Sequence, residues 1–239
     1  MDAGRGPRRP ARGGPPAVTQ AAPDRRQFTS AEWRLVRRLT TPAVVQAYLN
    51  ALPYNTEPPP NTPTLRTFRG VVRERTAHCL EAALFAAVLL EQHGFPPMVM
   101  SLESIDGLDH VIFVYRAGGR WGSVARSRDP GLHGRRPVFR SLREMALTYF
   151  DPYIDETGCL RAYGATDLRV LGRYNWRLSD GHVWKVERLL YEIPHTSITY
   201  SQARVDRLRR KYLAYKQAHD GRKPVYYDRS TWMAIPRSS

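Results

Sequence analysis

The sequence predicts an α+β fold in which several helices precede a small antiparallel sheet. Helix-start signatures recur through the N-terminal part, and short runs rich in β-branched residues follow the most apolar segment of the chain. That segment, 79–93, carries hydrophobic side chains around most of a helical circumference, so we expect a helix buried on nearly all sides. The 239 residues suit one domain with tails or two small domains.

Three helices are predicted before the buried one. Residues 29–32 have the spacing of a capping box, so a helix should run from there to about residue 39. Thr41-Pro42 and Thr62-Pro63 each combine an N-cap residue with proline at the first helical position. They predict helices over AVVQAYLNAL and TLRTFRGVVRER, separated by a proline-rich loop at 56–63.

The sheet should follow the buried helix. Gly94 suits the C-terminal end of that helix, and Pro96 prevents its continuation. Strands are expected at 98–102, 110–115 and 120–124, with Gly118-Gly119 as the turn between the last two. Further helices are predicted at 139–150 and 179–192, followed by a basic C-terminal helix with four apolar positions at helical spacing, Val205, Leu208, Tyr212 and Tyr215.

The positive charge lies mainly at the two ends. Of the net charge of +15, residues 1–26 hold +4 and residues 201–239 hold +7. We therefore divide the chain into a disordered basic tail (1–26), a folded domain (27–200) and a basic C-terminal helix and tail (201–239). Basic ends are either solvated surface or a binding region for an anionic partner such as nucleic acid.

Composition argues against several classes of protein. The two cysteines are too few for a disulfide framework and fit a cytoplasmic protein, and the basic N-terminus lacks the apolar stretch of a secretory signal. The longest apolar run has nine residues, whereas a membrane-spanning helix needs about twenty, so no membrane partner is expected. The scattered histidines show no zinc spacing, and no nucleotide-binding glycine motif occurs. We therefore expect no metal and no cofactor.

Cys79 and His110 are the candidate catalytic pair. A cysteine at the start of a helix is favoured as a thiolate, because unpaired backbone N–H groups and the helix dipole stabilise negative charge there. A histidine beside it can form an ion pair and then act as acid and base. The alternative is a small buried cysteine and a histidine that bonds a backbone carbonyl.

The stretch AHCLEAALFAAVLLEQHGFPPMVM, followed by DHVIFVYRAGGRWGSV, resembles the core of the transglutaminase-like superfamily. In that family a cysteine opens a buried helix that ends in glycine, and a histidine-led strand then pairs with a tryptophan-led one. Those features fall here on Cys79, Gly94, His110 and Trp121. The resemblance implies a papain-like fold, an uncharacterised bacterial branch, and acyl transfer or hydrolysis at a peptide, amide or ester bond.

The chain departs from the family at the third catalytic residue. The family has an aspartate a few residues after the tryptophan, but Ala125 stands there. Asp129 and Ser127 follow, and either is a candidate to orient His110. The third possibility is that neither does so and that a backbone carbonyl supports the ring. The sequence thus leaves two functions open, a cysteine-dependent acyl-transfer enzyme or hydrolase and a binding module that keeps the fold without activity.

Overall fold

The computed structural model describes residues 21–57 and 62–224. Within them the chain forms eight α-helices and one six-stranded sheet, which confirms the α+β class. The helices are α1 (Ser30–Arg38), α2 (Pro42–Ala51), α3 (Phe68–Glu74), α4 (Cys79–Glu91), α5 (Leu142–Leu147), α6 (Phe150–Tyr153), α7 (Trp184–Glu192) and α8 (Gln202–Ala218). The strands are β1 (Met98–Ser104), β2 (His110–Ala117), β3 (Arg120–Val124), β4 (Arg135–Phe139), β5 (Leu160–Asp167) and β6 (Thr196–Ser197).

The sheet has the order β4-β3-β2-β1-β5-β6, and each pair of neighbours is antiparallel. The three predicted strands form its centre. Gly118 and Gly119 join β2 to β3 with positive φ angles of 56° and 74°, which glycine adopts without steric cost. Strands β4, β5 and β6 were not predicted, and β5 pairs along most of the length of β1.

Helices cover both faces of the sheet. Alternate residues of β2 divide between two cores, because successive side chains of a strand point to opposite faces. Phe113 and Tyr115 join the larger core with α4, which is buried along nearly its whole length. Ile112 and Val114 join the second core, built with α5, α6 and α8. Because β2 lies between two packed layers, its first residue, His110, is held close to the first residue of α4.

The predicted starts of α1 and α2 are confirmed. Thr29 Oγ1 accepts from the Glu32 backbone N–H at 3.2 Å, and the Glu32 carboxylate accepts from the Thr29 N–H at 2.7 Å. This is the reciprocal pattern of a capping box. At α2, Thr41 caps the helix and Pro42 is its first residue. The C-terminal helix α8 also forms, with Val205 and Tyr212 buried.

The predicted start of the third helix at Thr62-Pro63 was wrong. Residues 62–67 have no regular secondary structure, and α3 begins at Phe68 with Thr67 as its N-cap. Side chains from other parts of the chain accept hydrogen bonds from the backbone N–H groups of this segment. Glu57 accepts from Thr64, and His182 accepts from Leu65. An extended segment held in this way is unable to form the turn that the Thr-Pro signature favours.

Two later helices are shorter than predicted. The segment 139–150 was expected to be one helix, but it contains the end of β4, then α5 capped by Ser141, and then the first residue of α6. In the segment 179–192 only Trp184–Glu192 is helical. Ser179 Oγ accepts from the Gly181 N–H at 3.1 Å, so it forms a local turn and does not cap the helix.

Ordered backbone begins before Thr29, because Asp24 caps a short 3₁₀ turn at Arg25–Gln27. The remainder of the predicted basic tail (1–20), part of the proline-rich loop (58–61) and the end of the C-terminal segment (225–239) lie outside the described residues. Among the described helices, none has both the length and the apolar character required to cross a membrane.

Candidate functional site

Cys79 is the first residue of α4, and its partly exposed side chain lines a cleft of about 160 Å³. The position follows from the local sequence, because the apolar run that drives burial of α4 begins immediately after the cysteine. The cleft therefore meets the helix at its positive end. Other lining residues come from the chain after α2, the β1–β2 turn, the loop after β3, α6, α8 and the segment after α8, among them Tyr54, Asp109, Asp129, Tyr153, Tyr212 and Lys223.

His110 is the first residue of β2 and lies at the end of the sheet that is next to Cys79. The residue is 4% exposed, and its ring Nε2 lies 2.8 Å from the backbone carbonyl oxygen of Leu132. A carbonyl oxygen only accepts hydrogen bonds, so Nε2 carries the proton of the neutral ring. The nitrogen left for the Cys79 sulfur is Nδ1, and a hydrogen bond joins the two side chains.

Two histidine rings determine the charge of Cys79. Burial alone would raise the pKa of the thiol, but hydrogen bonds from His110 and His78, together with the charges of both rings, hold that pKa well below its ordinary value. The sulfur thus sits in the partly exposed, electropositive surroundings that distinguish reactive cysteines from structural ones. Cys159 differs, because it is fully buried and burial raises its pKa.

Tyr54 provides a hydroxyl next to the backbone of Cys79. Residues Tyr54 and Ala77 form a parallel β-bridge, which holds the chain after α2 against the residues that lead into α4. The Cys79 backbone N–H donates to the Tyr54 hydroxyl. Burial is the main cause that raises the pKa of this tyrosine, and the Cys79 charge adds to it, so the hydroxyl keeps its proton at neutral pH. A carbonyl oxygen beside the sulfur would therefore meet the Tyr54 O–H, whose oxygen is held in place by the Cys79 N–H.

The side chain of Asn55, the residue after Tyr54, is bonded elsewhere. Its side-chain amide donates to Thr64 Oγ1 at 2.7 Å and to the Glu81 carboxylate at 3.0 Å. Glu81 is fully buried one helical turn after His78. It also accepts from the backbone N–H groups of Arg66 and His78, at 3.0 and 3.2 Å.

The structure gives neither candidate orienting residue a hydrogen bond to the His110 ring. The Asp129 carboxylate bonds Lys223 Nζ at 2.6 Å, and Ser127 Oγ accepts from the Asp129 N–H at 3.0 Å. Both residues line the cleft, but the contact on Nε2 comes from the Leu132 carbonyl. The carboxylate next to His110 in the sequence, Asp109, accepts a hydrogen bond from the Ser104 N–H at 2.8 Å.

Two functional contacts were missed or undervalued in the sequence. The Leu132 carbonyl leaves no sequence signal, because any residue supplies one. Glu81 did leave a signal, since a glutamate three residues after an N-cap position is the second half of a capping box. In the part of the chain that the structure describes, no group of three or more His, Cys, Asp or Glu residues is arranged to hold a metal ion.

The chain matches no protein-family model and no curated protein. The relationship to the transglutaminase-like superfamily therefore depends on the order and spacing of Cys79, Gly94, His110 and Trp121, and it stays a prediction. The hydrogen-bonded pair of Cys79 and His110 is independent of that relationship, because it follows from the geometry of this chain.

Proposed function

We propose that this protein is a cysteine-dependent enzyme that transfers or hydrolyses the acyl group of an amide or ester. The observation that carries the proposal is the Cys79 thiol at the start of α4, hydrogen-bonded to His110 and open to a cleft. A papain-like core of the transglutaminase-like type is part of the same proposal. So is a cytoplasmic location, which two unpaired cysteines favour.

The first half-reaction forms an acyl-enzyme. The Cys79 thiolate attacks the carbonyl carbon and makes a C–S bond, and the negative charge that develops on oxygen is met by the Tyr54 O–H. Protonated His110 gives its Nδ1 proton to the amine or alcohol as the C–N or C–O bond breaks. A thioester remains on Cys79, and His110 is neutral.

The second half-reaction restores the enzyme. Water or an amine attacks the thioester carbonyl, and neutral His110 takes the proton that the nucleophile loses. The C–S bond then breaks, and the thiolate is released beside a protonated ring. Hydrolysis and amine transfer share the first step, so the same residues serve both reactions.

Covalent trapping tests the proposal directly. We expect the wild-type protein to form a thioester on Cys79 with activated esters, detected by intact mass and located by peptide mapping. The Cys79→Ala variant should form none, and the Cys159→Ser variant should react like the wild type, because Cys159 is sealed in the second core. A wild-type Cys79 that reacts no faster than free cysteine at neutral pH would refute the enzyme.

Tyr54→Phe should reduce turnover of an activated ester about a hundredfold, because it removes a donor to the developing oxyanion. Alkylation of Cys79 by iodoacetamide creates no oxyanion, so its rate should stay close to that of the wild type. Steady-state kinetics and alkylation rates measured on one preparation separate the two effects. Tyr191→Phe, at an exposed tyrosine outside the cleft, is the matched control. Equal losses in both assays would contradict the role.

A binding module without activity is the second candidate. The observation in its favour is that the His110 Nε2 bonds a neutral carbonyl where a catalytic pair commonly has a carboxylate or amide. A substrate peptide or another ligand would then occupy the cleft without reacting. Trapping decides between the two, since a module would bind activated esters or their analogues without a thioester on Cys79. An anionic partner at the basic ends is compatible with either.

A further inference from the structure

His78 is a second imidazole in contact with the Cys79 sulfur. It immediately precedes Cys79 as the N-cap of α4, and 15% of its side chain is exposed. Its Nε2 lies 2.8 Å from the Thr64 carbonyl oxygen, so this nitrogen carries a proton. The nitrogen that remains for the hydrogen bond to the sulfur is Nδ1. The two rings therefore present the same nitrogen to Cys79 and have their other nitrogen on a backbone carbonyl.

The rings differ in the charge behind them. His110 has the neutral Leu132 carbonyl on Nε2, whereas His78 Nε2 lies 3.6 Å from the Glu81 carboxylate. That carboxylate is fully buried and is fixed by four donors, the side chains of Asn55 and Thr64 and the backbone N–H groups of Arg66 and His78. A buried carboxylate favours a positive charge on the nearest titratable ring.

We propose that His78 is a standing imidazolium that keeps Cys79 ionised, with Glu81 as its counter-ion, so that His110 is free to exchange protons with substrate. Carboxylate, imidazolium, thiolate and imidazolium then alternate in sign from Glu81 to His110. In related sites an aspartate both orients the catalytic histidine and stabilises its positive charge. Here a carbonyl orients His110, and a carboxylate stabilises the charge of the other ring. The inference rests on the proposed function only in taking Cys79 as the nucleophile.

The electrostatics of His78 agree with this role. Burial would lower its pKa, but the hydrogen bond to Cys79, the charge of Cys79, the Glu81 carboxylate and the Thr64 carbonyl together raise it to about 9. His78 should therefore remain charged through neutral pH, where a general acid and base has to change its state. The other titratable or charged side chains around the Cys79 sulfur and the Glu81 carboxylate are Tyr54 after α2, Arg66 before α3, His110 on β2, Arg128 and Asp129 after β3, and Tyr153 on α6.

Alkylation of Cys79 across pH tests the inference without knowledge of the substrate. Iodoacetamide reacts with the thiolate, so the rate at Cys79 falls as pH drops below the thiol pKa. His78→Gln keeps a polar side chain but removes the charge, and His78→Lys restores a positive charge. His93→Gln is the matched control, because His93 Nε2 also lies 2.8 Å from a backbone carbonyl, that of Val36, and does not line the cleft.

We expect His78→Gln to reduce the alkylation rate near pH 6 about tenfold or more while leaving the rate near pH 9.5 close to that of the wild type. His78→Lys should recover part of the loss, and His93→Gln should match the wild type. A wild-type alkylation rate no higher than that of free cysteine would refute the proposed function. A fast wild-type rate that His78→Gln leaves unchanged at every pH would overturn this inference alone.

A measurement on the ring itself covers the case in which His78→Gln fails to fold. The histidine ring signals of ¹⁵N-labelled protein report protonation, and the coupling between two charges is reciprocal. Cys79→Ala should therefore lower the pKa of His78 from about 9, because the hydrogen bond and the thiolate charge are lost. The ring signals of His93 should be the same in both proteins. A His78 ring that is neutral at pH 7 in the wild type would overturn the inference.

Discussion

His110→Asn should reduce turnover of an activated ester by about a thousandfold, the largest catalytic loss expected for any residue other than Cys79. Asparagine retains a polar side chain of similar reach, but it neither gives nor takes a proton at neutral pH. The acyl-enzyme would form slowly, because the leaving group departs without a proton, and it would persist, because no base activates water. Burst kinetics with detection of the thioester by intact mass should show both effects.

Asp129→Asn is the informative comparison. Its carboxylate bonds Lys223, and the His110 Nε2 bonds the Leu132 carbonyl, so the loss should be under about tenfold. An Asp129→Asn variant as impaired as His110→Asn would mean that the loop after β3 rearranges during turnover and that Asp129 becomes the orienting residue. The comparison therefore tests the geometry of the ring as well as its chemistry.

Elements with strong local signals were predicted well. The capping box at Thr29, the Thr41-Pro42 start and the apolar run after Cys79 each specify structure through contacts within a few residues, and all three helices form. The Thr62-Pro63 signature has the same local strength, but distant partners overrode it. His182, more than a hundred residues away in the sequence, accepts a hydrogen bond from the Leu65 N–H, and Glu81 accepts one from the Arg66 N–H. Such tertiary competition leaves no local trace.

The candidate site shows the same difference between local features, which the sequence predicts, and distant contacts, which it does not. The Cys79–His110 pair was accessible from the sequence, because a helix start and a strand start are both local features. The contact on the far side of His110 was not, because it comes from a backbone carbonyl whose position depends on the path of the loop after β3. Ala125, at the position where an acid was expected, has its N–H and carbonyl bonded to the buried side chain of Gln46 at 2.8 and 2.7 Å. That tie between β3 and α2 determines where the loop begins.

Arg135 determines where the same loop ends. Its fully buried guanidinium donates to the carbonyls of Gly131 and His133, each at 2.6 Å, and stacks over the Tyr149 ring at 4.0 Å. Those two carbonyls flank the Leu132 carbonyl that orients His110. The loop is thus wrapped around a cation whose donors match its oxygens, and the fork geometry of arginine is needed to reach several of them at once.

Arg135→Met should lower the free energy of unfolding by about 3–5 kcal/mol, because it leaves buried carbonyl oxygens without hydrogen-bond donors. Urea unfolding followed by circular dichroism measures the change. Arg136→Met, at the exposed neighbour on β4, should change it by less than about 0.5 kcal/mol. Turnover of Arg135→Met, assayed where the variant is still folded, should also fall, because the Leu132 carbonyl loses its fixed position. Equal stability of the two variants would show that the loop holds its path without the buried cation, and His110 would then owe its orientation to the sheet alone.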